Sequence, residues 1–219
     1  MPITPASEPR VFSLLDRLIE PADQALRTLF GTSPPARPYP AEGIPETVDR
    51  KPDQQEVIAL MRINHAGEVA AQALYQGQAL VAADTRMREA LLDAGREEAD
   101  HLAWCSRRVH ELGGRTSLFD PLWYAGSFAI GVLAGFSGDR TSLGFVAETE
   151  RQVVEHLTGH LGQLPQEDLR TRAIINQMSA DEARHGHNAI EAGGAELPAF
   201  ARAVMKATAK IMTSTARWL

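Results

Sequence analysis

Apolar residues recur at steps of three and four along most of the chain, which is the period of one face of an α-helix. A first amphipathic stretch runs from Val11 to Phe30 and is ended by Gly31. Beyond about Asp53 the same period predicts longer helices, separated by glycine, proline or short polar pairs. We expect these helices over about residues 54–83, 86–112, 140–163, 167–191 and 198–217.

The connections between these helices predict how they pack. Only Asp84 and Thr85 separate the first two long helices, so we expect them to be antiparallel neighbours. Gly113 and Gly114 end the second helix, and an apolar segment at 121–136 follows before the next pair. Two helix pairs joined by one long connection favour an all-α four-helix bundle with a crossover helix and a further C-terminal helix.

The chain before this bundle has a different character, because Thr32 to Pro52 carries six prolines. We interpret residues 1–52 as an amphipathic helix followed by a proline-rich linker, and residues 53–219 as the compact domain. A chain of 219 residues with 44% hydrophobic composition can build one sizeable core, but is too short for two ordinary domains. The aromatic content of 6%, with frequent Ala, Leu, Glu and Arg, agrees with helices rather than strands.

Charge and cysteine content exclude several classes of protein. The formal net charge of -6, without any long run of like charge, argues against a nucleic-acid partner. The single cysteine, Cys105, excludes an internal disulfide framework and any Cys-x-x-Cys metal site, and fits a reducing compartment. The first residues lack the basic and apolar regions of a secretory signal, so we do not expect secretion.

Two segments are candidates for contact with a membrane surface. Residues 121–136 contain no charge, but they are fewer than the roughly 20 apolar residues that cross a bilayer. We therefore expect this segment to lie in a membrane surface, with an ordinary core or dimer helix as the alternative. The last predicted helix carries Arg202, Lys206 and Lys210 on one side, where a solvated face is commoner than a membrane contact.

Two Glu-x-x-His motifs interrupt apolar stripes of the predicted helices. Glu98 and His101 lie on the stripe of the helix at 86–112, and Glu182 and His185 lie on that of the helix at 167–191. The two other bundle helices each place one glutamate in mid-stripe, Glu68 and Glu150. Glu68 precedes Glu98 by 30 residues and Glu150 precedes Glu182 by 32, as expected of an internally repeated helical hairpin.

Four buried carboxylates require compensating positive charge. An ionised carboxylate costs several kcal/mol to bury, and four in one core also repel one another. Two divalent ions would supply four positive charges, and a set of carboxylates with one imidazole per metal suits iron(II) or manganese(II). This is the ligand pattern of ferritin-like di-iron bundles. The predicted metal ligands are Glu68, Glu98, His101, Glu150, Glu182 and His185.

Other polar residues near the ligands have more ordinary predicted roles. We expect Glu97 and Asp181, which directly precede the motifs, to accept hydrogen bonds from the ligand histidines across the bundle. His65 and His156 are expected to be core histidines, with a proton-transfer role as the alternative. Tyr75 and Cys105 are expected to be core residues. The histidines predicted to be partly exposed are His110, His160 and His187.

Several motifs resemble one known family. The stretch from Ile63 to Ala71, read INHAGEVAA, is similar to the demethoxyubiquinone hydroxylase family of ubiquinone biosynthesis. The resemblance continues through Glu97-Glu98-Ala99-Asp100-His101, Pro121-Leu122-Trp123, Glu150 with Val153 and His156, and Asp181-Glu182-Ala183-Arg184-His185. It covers roughly residues 55–192, and the extension before it resembles bacterial members.

The resemblance implies a ferritin-like di-iron enzyme that uses O2 to hydroxylate the ring of 2-polyprenyl-3-methyl-6-methoxy-1,4-benzoquinol. The six residues above carry over as iron ligands, and an external reductant, for which NADH is a candidate, would supply electrons. The prenyl tail implies peripheral attachment at the cytoplasmic face of the cell membrane. A second copy of the chain and other ubiquinone-biosynthesis proteins are candidate partners. Leu157 stands where some members have Tyr, so a tyrosine-mediated step does not carry over.

The residues themselves leave alternatives to this hydroxylase. A ferritin-like iron-storage protein would use the same ligand set but would not need the apolar segment. A soluble di-metal oxidase or catalase would turn over peroxide without a quinol. A structural membrane-surface protein with accidental Glu-x-x-His pairs would bind no iron.

Overall fold

The computed structural model describes residues 14–31 and 35–218, with side chains from residue 19 onward. Every regular element in this part of the chain is an α-helix. The predicted start of the first helix, at Val11, lies outside the described residues. The helices are α1 (Leu14–Phe30), α2 (Lys51–Val81), α3 (Thr85–Glu111), α4 (Asp120–Phe136), α5 (Asp139–Leu161), α6 (Leu169–Glu191) and α7 (Ala199–Ala216).

Local side chains explain where the bundle helices begin and end. The Asp84 carboxylate accepts a hydrogen bond from the first turn of α3, and Asp168 accepts one from the Thr171 N–H at the start of α6. Gly113 ends α3 with φ of +75°, and Gly193 follows α6 with φ of +99°, a backbone region that favours glycine. From α2 to α7, the predicted helix boundaries agree with those of the structure to within three residues.

Two helical hairpins form the bundle. Helix α2 packs along α3 and α5 packs along α6, and contacts of α3 with α6 and of α2 with α5 join the hairpins. The apolar faces meet in one large cluster that includes Leu60, Trp104, Leu157 and Ile174, one residue from each bundle helix. This arrangement confirms the predicted all-α bundle.

Helix α4 is the predicted crossover, and it lies against the outside of α2. Glycines permit this close approach, because a Cβ atom on Gly131 would lie 2.3 Å from the Leu74 carbonyl oxygen. The other face of α4 carries large apolar side chains that are exposed: Leu122, Leu133 and Phe136. Within residues 14–31 and 35–218, no helix combines the length and hydropathy that a bilayer crossing requires.

The structure differs from the predicted linker, because residues 35–50 pack into the bundle. Tyr39, Ala41 and Val48 are buried in the same cluster as Trp104. Glu46 forms an ion pair with the buried guanidinium of Arg108. The prolines stop helix formation in this segment, but the apolar side chains between them still bury in the main core of the bundle.

Candidate metal centre

The six predicted ligands converge at the centre of the bundle. Glu68 comes from α2 and Glu150 from α5, while α3 and α6 each supply a Glu-x-x-His pair. All six side chains are buried, and His185 is the most exposed of the ligands at 7%. The convergence follows from the helical period, since each ligand replaces an apolar residue on a stripe that faces the core.

The ligands form two groups that share two members. Glu68 and His101 complete one group, and Glu150 and His185 complete the other. Glu98 and Glu182 belong to both groups. In each group, one possible ligand atom per residue lies within 4.8 Å of all the others. Two cations could therefore sit side by side, each with one carboxylate and one imidazole of its own and two carboxylates in common.

The histidine rings have one nitrogen toward the carboxylates of the centre. His101 Nδ1 lies 2.9 Å from both Glu98 Oε2 and Glu182 Oε1. His185 Nδ1 lies 3.1 Å from Glu98 Oε1 and 3.2 Å from Glu182 Oε2. Because each Nδ1 carries at most one hydrogen, it cannot satisfy two carboxylate oxygens at once.

The other ring nitrogen of each histidine meets a carboxylate from the opposite helix. His101 Nε2 on α3 lies 3.0 Å from Asp181 Oδ2 on α6, and His185 Nε2 on α6 lies 3.3 Å from Glu97 Oε2 on α3. These contacts confirm the predicted pairing across the bundle. A hydrogen on Nε2 donated to the carboxylate leaves Nδ1 as the metal-facing lone pair and fixes the ring orientation.

The electrostatics of the centre favour the binding of positive charge. Burial raises the pKa of Glu68 and Glu150 well above the ordinary value, and neighbouring carboxylates add to the effect. Burial alone would lower the pKa of His185, but Glu182 and Glu98 outweigh it and raise that pKa to about 11. Protons on these groups and metal cations are thus two ways to neutralise the same cluster.

The donor set fits a pair of hard or borderline cations. Glu98 Oε1 and Glu182 Oε1 are buried without a hydrogen bond of good geometry, although imidazole nitrogens lie near them. Such oxygens are suited to coordinate a metal. A set of carboxylates and imidazoles without a thiolate fits iron or manganese. The nearby Cys105 does not add a thiolate, because burial raises the pKa of its thiol well above the ordinary value.

Tyr75 is a core residue, as predicted, and it also contacts a candidate ligand. The side chain is 2% exposed, and its hydroxyl donates a hydrogen bond to Glu150 Oε1. Tyr75 lies two turns after Glu68 on the same helix, α2, but its contact with Glu150 on α5 depends on the packing of the bundle.

The remaining histidines lie outside the two ligand groups. His65 is buried with Nδ1 3.3 Å from Asp120 Oδ2, in agreement with a core histidine. His110 and His187 are exposed as predicted. The prediction of partial exposure was wrong for His160, which is 4% exposed because it lies on the covered face of α5, one turn after His156. The two rings are in contact, with centroids 3.9 Å apart.

Two residues that support Asp181, the hydrogen-bond partner of His101, were missed by the sequence reasoning. Arg37 donates hydrogen bonds to Asp100 Oδ2 at 2.8 Å and to Asp181 Oδ2 at 2.7 Å. Asp100 lies between Glu98 and His101 in the first Glu-x-x-His motif. An acidic residue beside a buried stripe was a signal, available in the sequence, of a further polar contact near the ligands. No local pattern pointed to Arg37, because its segment has no helical period.

Comparison with known proteins decides the family. Residues 55–216, from α2 through α7, match the family of the ubiquinone biosynthesis protein COQ7. The chain belongs to this family. The match includes all six predicted ligands, and the resemblance seen in the sequence motifs is therefore confirmed.

Curated relatives in the COQ7 family extend over nearly the whole chain. A protein from Nitrosomonas europaea is 53% identical over 94% of this chain and 99% of its own length. One from Bordetella petrii is 55% identical over 94% of this chain and 92% of its own. One from Legionella pneumophila is 50% identical over 96% of this chain and all of its own. Each of these relatives is named 3-demethoxyubiquinol 3-hydroxylase.

Proposed function

We propose that the protein hydroxylates the ring of demethoxyubiquinol, a 2-polyprenyl-3-methyl-6-methoxy-1,4-benzoquinol, and does so as an oxygen-dependent non-haem di-iron enzyme. The observation that carries the proposal is the pair of overlapping Glu and His groups in a COQ7-family chain. The name shared by relatives of 50 to 55% identity supports the substrate and the reaction.

Each iron ion would have its own pair of ligands. Glu68 and His101 would hold one ion, Glu150 and His185 would hold the other, and Glu98 and Glu182 would bridge both. When bound, the two ions would supply the redox chemistry that O2 activation requires. In the net reaction, a ring C–H bond becomes C–OH, and the second oxygen atom leaves as water with two electrons and two protons. The electrons come from an external reductant, for which NADH is our candidate.

The protein's own residues would orient the ligands and restrict water. Asp181 and Glu97 hold the histidine rings so that Nδ1 faces the centre. The Tyr75 hydroxyl holds a proton against Glu150 and limits the positions that this carboxylate can adopt. Because the ligands are buried among four helices, bulk water would have little access to the metal centre.

The exposed apolar faces support a peripheral membrane location for the same function. Leu133 and Phe136 on α4 are 67% and 72% exposed, although the opposite face of that helix is packed on α2. On α7, Phe200 is 81% exposed, and Lys206 and Lys210 are also exposed. Apolar and basic groups together favour an anionic membrane surface, where a prenylated quinol resides. We propose that the protein lies at the cytoplasmic face of the cell membrane.

The proposal also includes partners that handle the same substrate. Other proteins of ubiquinone biosynthesis would supply the quinol and take up the product, and a second copy of this chain is the other partner we expect. Size measurement of the purified protein in a mild detergent would test for the second copy.

A direct turnover experiment tests the function. The protein is loaded anaerobically with two equivalents of iron(II), then given demethoxyubiquinol, a reductant and ¹⁸O₂. We expect a product with one labelled oxygen atom as a new hydroxyl group on a ring carbon, detected by mass spectrometry. Glu98→Ala should abolish the product, whereas Glu155→Ala, which changes an exposed glutamate on α5, should not.

Three other results would contradict the hydroxylase. Iron oxidation and mineral formation without conversion of the quinol would indicate an iron-storage protein. Peroxide turnover without a quinol would indicate an oxidase or catalase. Failure of the folded protein to bind any iron would indicate that the Glu and His groups have a structural role.

A further inference from the structure

We infer that Arg37, from the proline-rich segment outside the bundle, is a positioning residue for the metal ligand His101. This inference rests on the proposed di-iron function, but it concerns a part of the chain that precedes the family match at residues 55–216. It assigns a role in the metal centre to residues that the sequence alone presents as a linker.

The contacts of Arg37 form a fork between two buried carboxylates. Its Nε lies 2.8 Å from Asp100 Oδ2 on α3, and its Nη1 lies 2.7 Å from Asp181 Oδ2 on α6. The preceding residue strengthens the attachment, because the Ala36 N–H donates to Asp100 Oδ1 at 2.7 Å. The Asp100 and Asp181 side chains are almost fully buried, so these charge-assisted hydrogen bonds are shielded from solvent.

Asp181 Oδ2 is the atom through which Arg37 reaches the metal centre. The same oxygen lies 3.0 Å from His101 Nε2, and His101 Nδ1 faces the bridging carboxylates. The guanidinium also lies over the Trp104 ring, 4.8 Å from its centroid, and that ring packs against the imidazole of His101. Arg37 therefore constrains the orientation of His101 through a hydrogen-bonded carboxylate and through an aromatic ring.

The contact is unequal between the two halves of the centre. For His185, the corresponding carboxylate is Glu97, whose Oε2 is 3.9 Å from Arg37 Nη1. Arg184 pairs with Glu97 in that half, and it also donates to Asp181 Oδ1 at 2.7 Å in the half of His101. Loss of Arg37 should therefore affect the cation held by His101 more than the cation held by His185.

The segment around Arg37 is anchored well enough to fix the charge. Tyr39, Ala41 and Val48 are buried in the main core, and Glu46 pairs with the buried guanidinium of Arg108. The Arg37 side chain itself is 30% exposed, which is low for an arginine at the outer edge of a bundle. Arg184 and Gln177 also donate to Asp181, but Arg37 supplies the charge-assisted hydrogen bond to Oδ2, the oxygen that lies beside His101.

The test compares the release of the two iron ions. Wild-type protein, Arg37→Gln and the control Arg107→Gln are loaded anaerobically with two iron(II) per chain and mixed with a chromogenic chelator. Arg107 contacts the same segment, through Tyr39 and Glu42, but none of the carboxylates beside the ligand histidines. In Arg37→Gln we expect one iron to be released about tenfold faster and the other at the wild-type rate.

Each outcome has a distinct meaning. Equal acceleration of both ions in Arg37→Gln, or wild-type release of both, would overturn the positioning role. Wild-type protein that binds no iron would instead overturn the proposed function. Helix content is checked first by circular dichroism, and if Arg37→Gln does not fold, Asp100→Asn takes its place. Asp100→Asn weakens the other arm of the fork and should show the same selective release.

Discussion

Glu98 on α3 and Glu182 on α6 lie between the two halves of the candidate metal centre and belong to both. The two residues occupy equivalent places in the two Glu-x-x-His motifs, and each has an imidazole nitrogen of both ligand histidines within 3.2 Å. By contrast, Glu68 and Glu150 each belong to one half only. Mutation of a shared, bridging carboxylate should therefore change iron binding more than mutation of a terminal carboxylate, meaning one that belongs to a single half.

The first prediction concerns iron stoichiometry. Glu98→Ala should lose both ions, because it removes a ligand that both share, whereas Glu68→Ala should retain about one ion per chain. Iron per chain is measured by chelator assay after anaerobic loading and desalting. Glu155→Ala, at an exposed site, should retain two ions. Identical losses in Glu98→Ala and Glu68→Ala would contradict the division into bridging and terminal ligands.

The second prediction concerns the pH dependence of stability without metal. The folded pKa of His185, about 11, exceeds the ordinary value of 6.5, so its stabilising effect is complete below 6.5 and declines as pH rises toward 11. The raised pKa values of Glu68 and Glu150 act in the same direction. The free energy of unfolding should therefore fall between pH 7 and pH 9.

Urea unfolding of the metal-free protein at several pH values measures this decline. His185→Asn should make the decline less steep, because the neutral amide does not titrate. Anaerobic loading with manganese(II) should also flatten it, since the cations replace the protons. A metal-free protein whose stability rises over this pH range would show that the centre is not held by protonated groups.

The third prediction concerns the contact between α2 and α4. Gly131→Ala would place a Cβ atom 2.3 Å from the Leu74 carbonyl oxygen, so the helices must separate. We expect a loss of about 1–3 kcal/mol in the free energy of unfolding, measured with urea. Gly126→Ala on the same helix meets no atom of the described residues within 4 Å and should be neutral or stabilising by up to about 1 kcal/mol. Equal stabilities of the two variants would refute the close crossing.

The fourth prediction concerns the membrane surface. Replacing Leu133 and Phe136 together by Asp should reduce binding to anionic vesicles at least about tenfold, since each large apolar side chain contributes on the order of 1.5–3 kcal/mol when buried. Leu169→Asp with Ile190→Asp is the matched control on α6, where both residues are more than half exposed. Vesicle flotation measures the bound fraction. Equal binding by the two double variants would argue against α4 as the membrane-facing helix.

The helices and the six candidate ligands were predictable from sequence, because helical period is a local property. A step of three or four residues places Glu98 with His101, and Glu182 with His185, on one face regardless of what lies opposite. Because four buried carboxylates are costly, this pattern by itself implies compensating positive charge. Glu97 and Asp181 were also predictable, since they adjoin the motifs on helices that had to face each other.

Tertiary structure decided the relationships between residues far apart in the chain. Which carboxylates are shared depends on the relative positions of α3 and α6, and the Tyr75 contact with Glu150 depends on how α2 lies beside α5. The burial of His160 and the attachment of Arg37 to Asp181 likewise arise from packing between separate segments. A sequence pattern specifies the face on which a side chain lies, but the partner across that face is fixed only when the helices pack together.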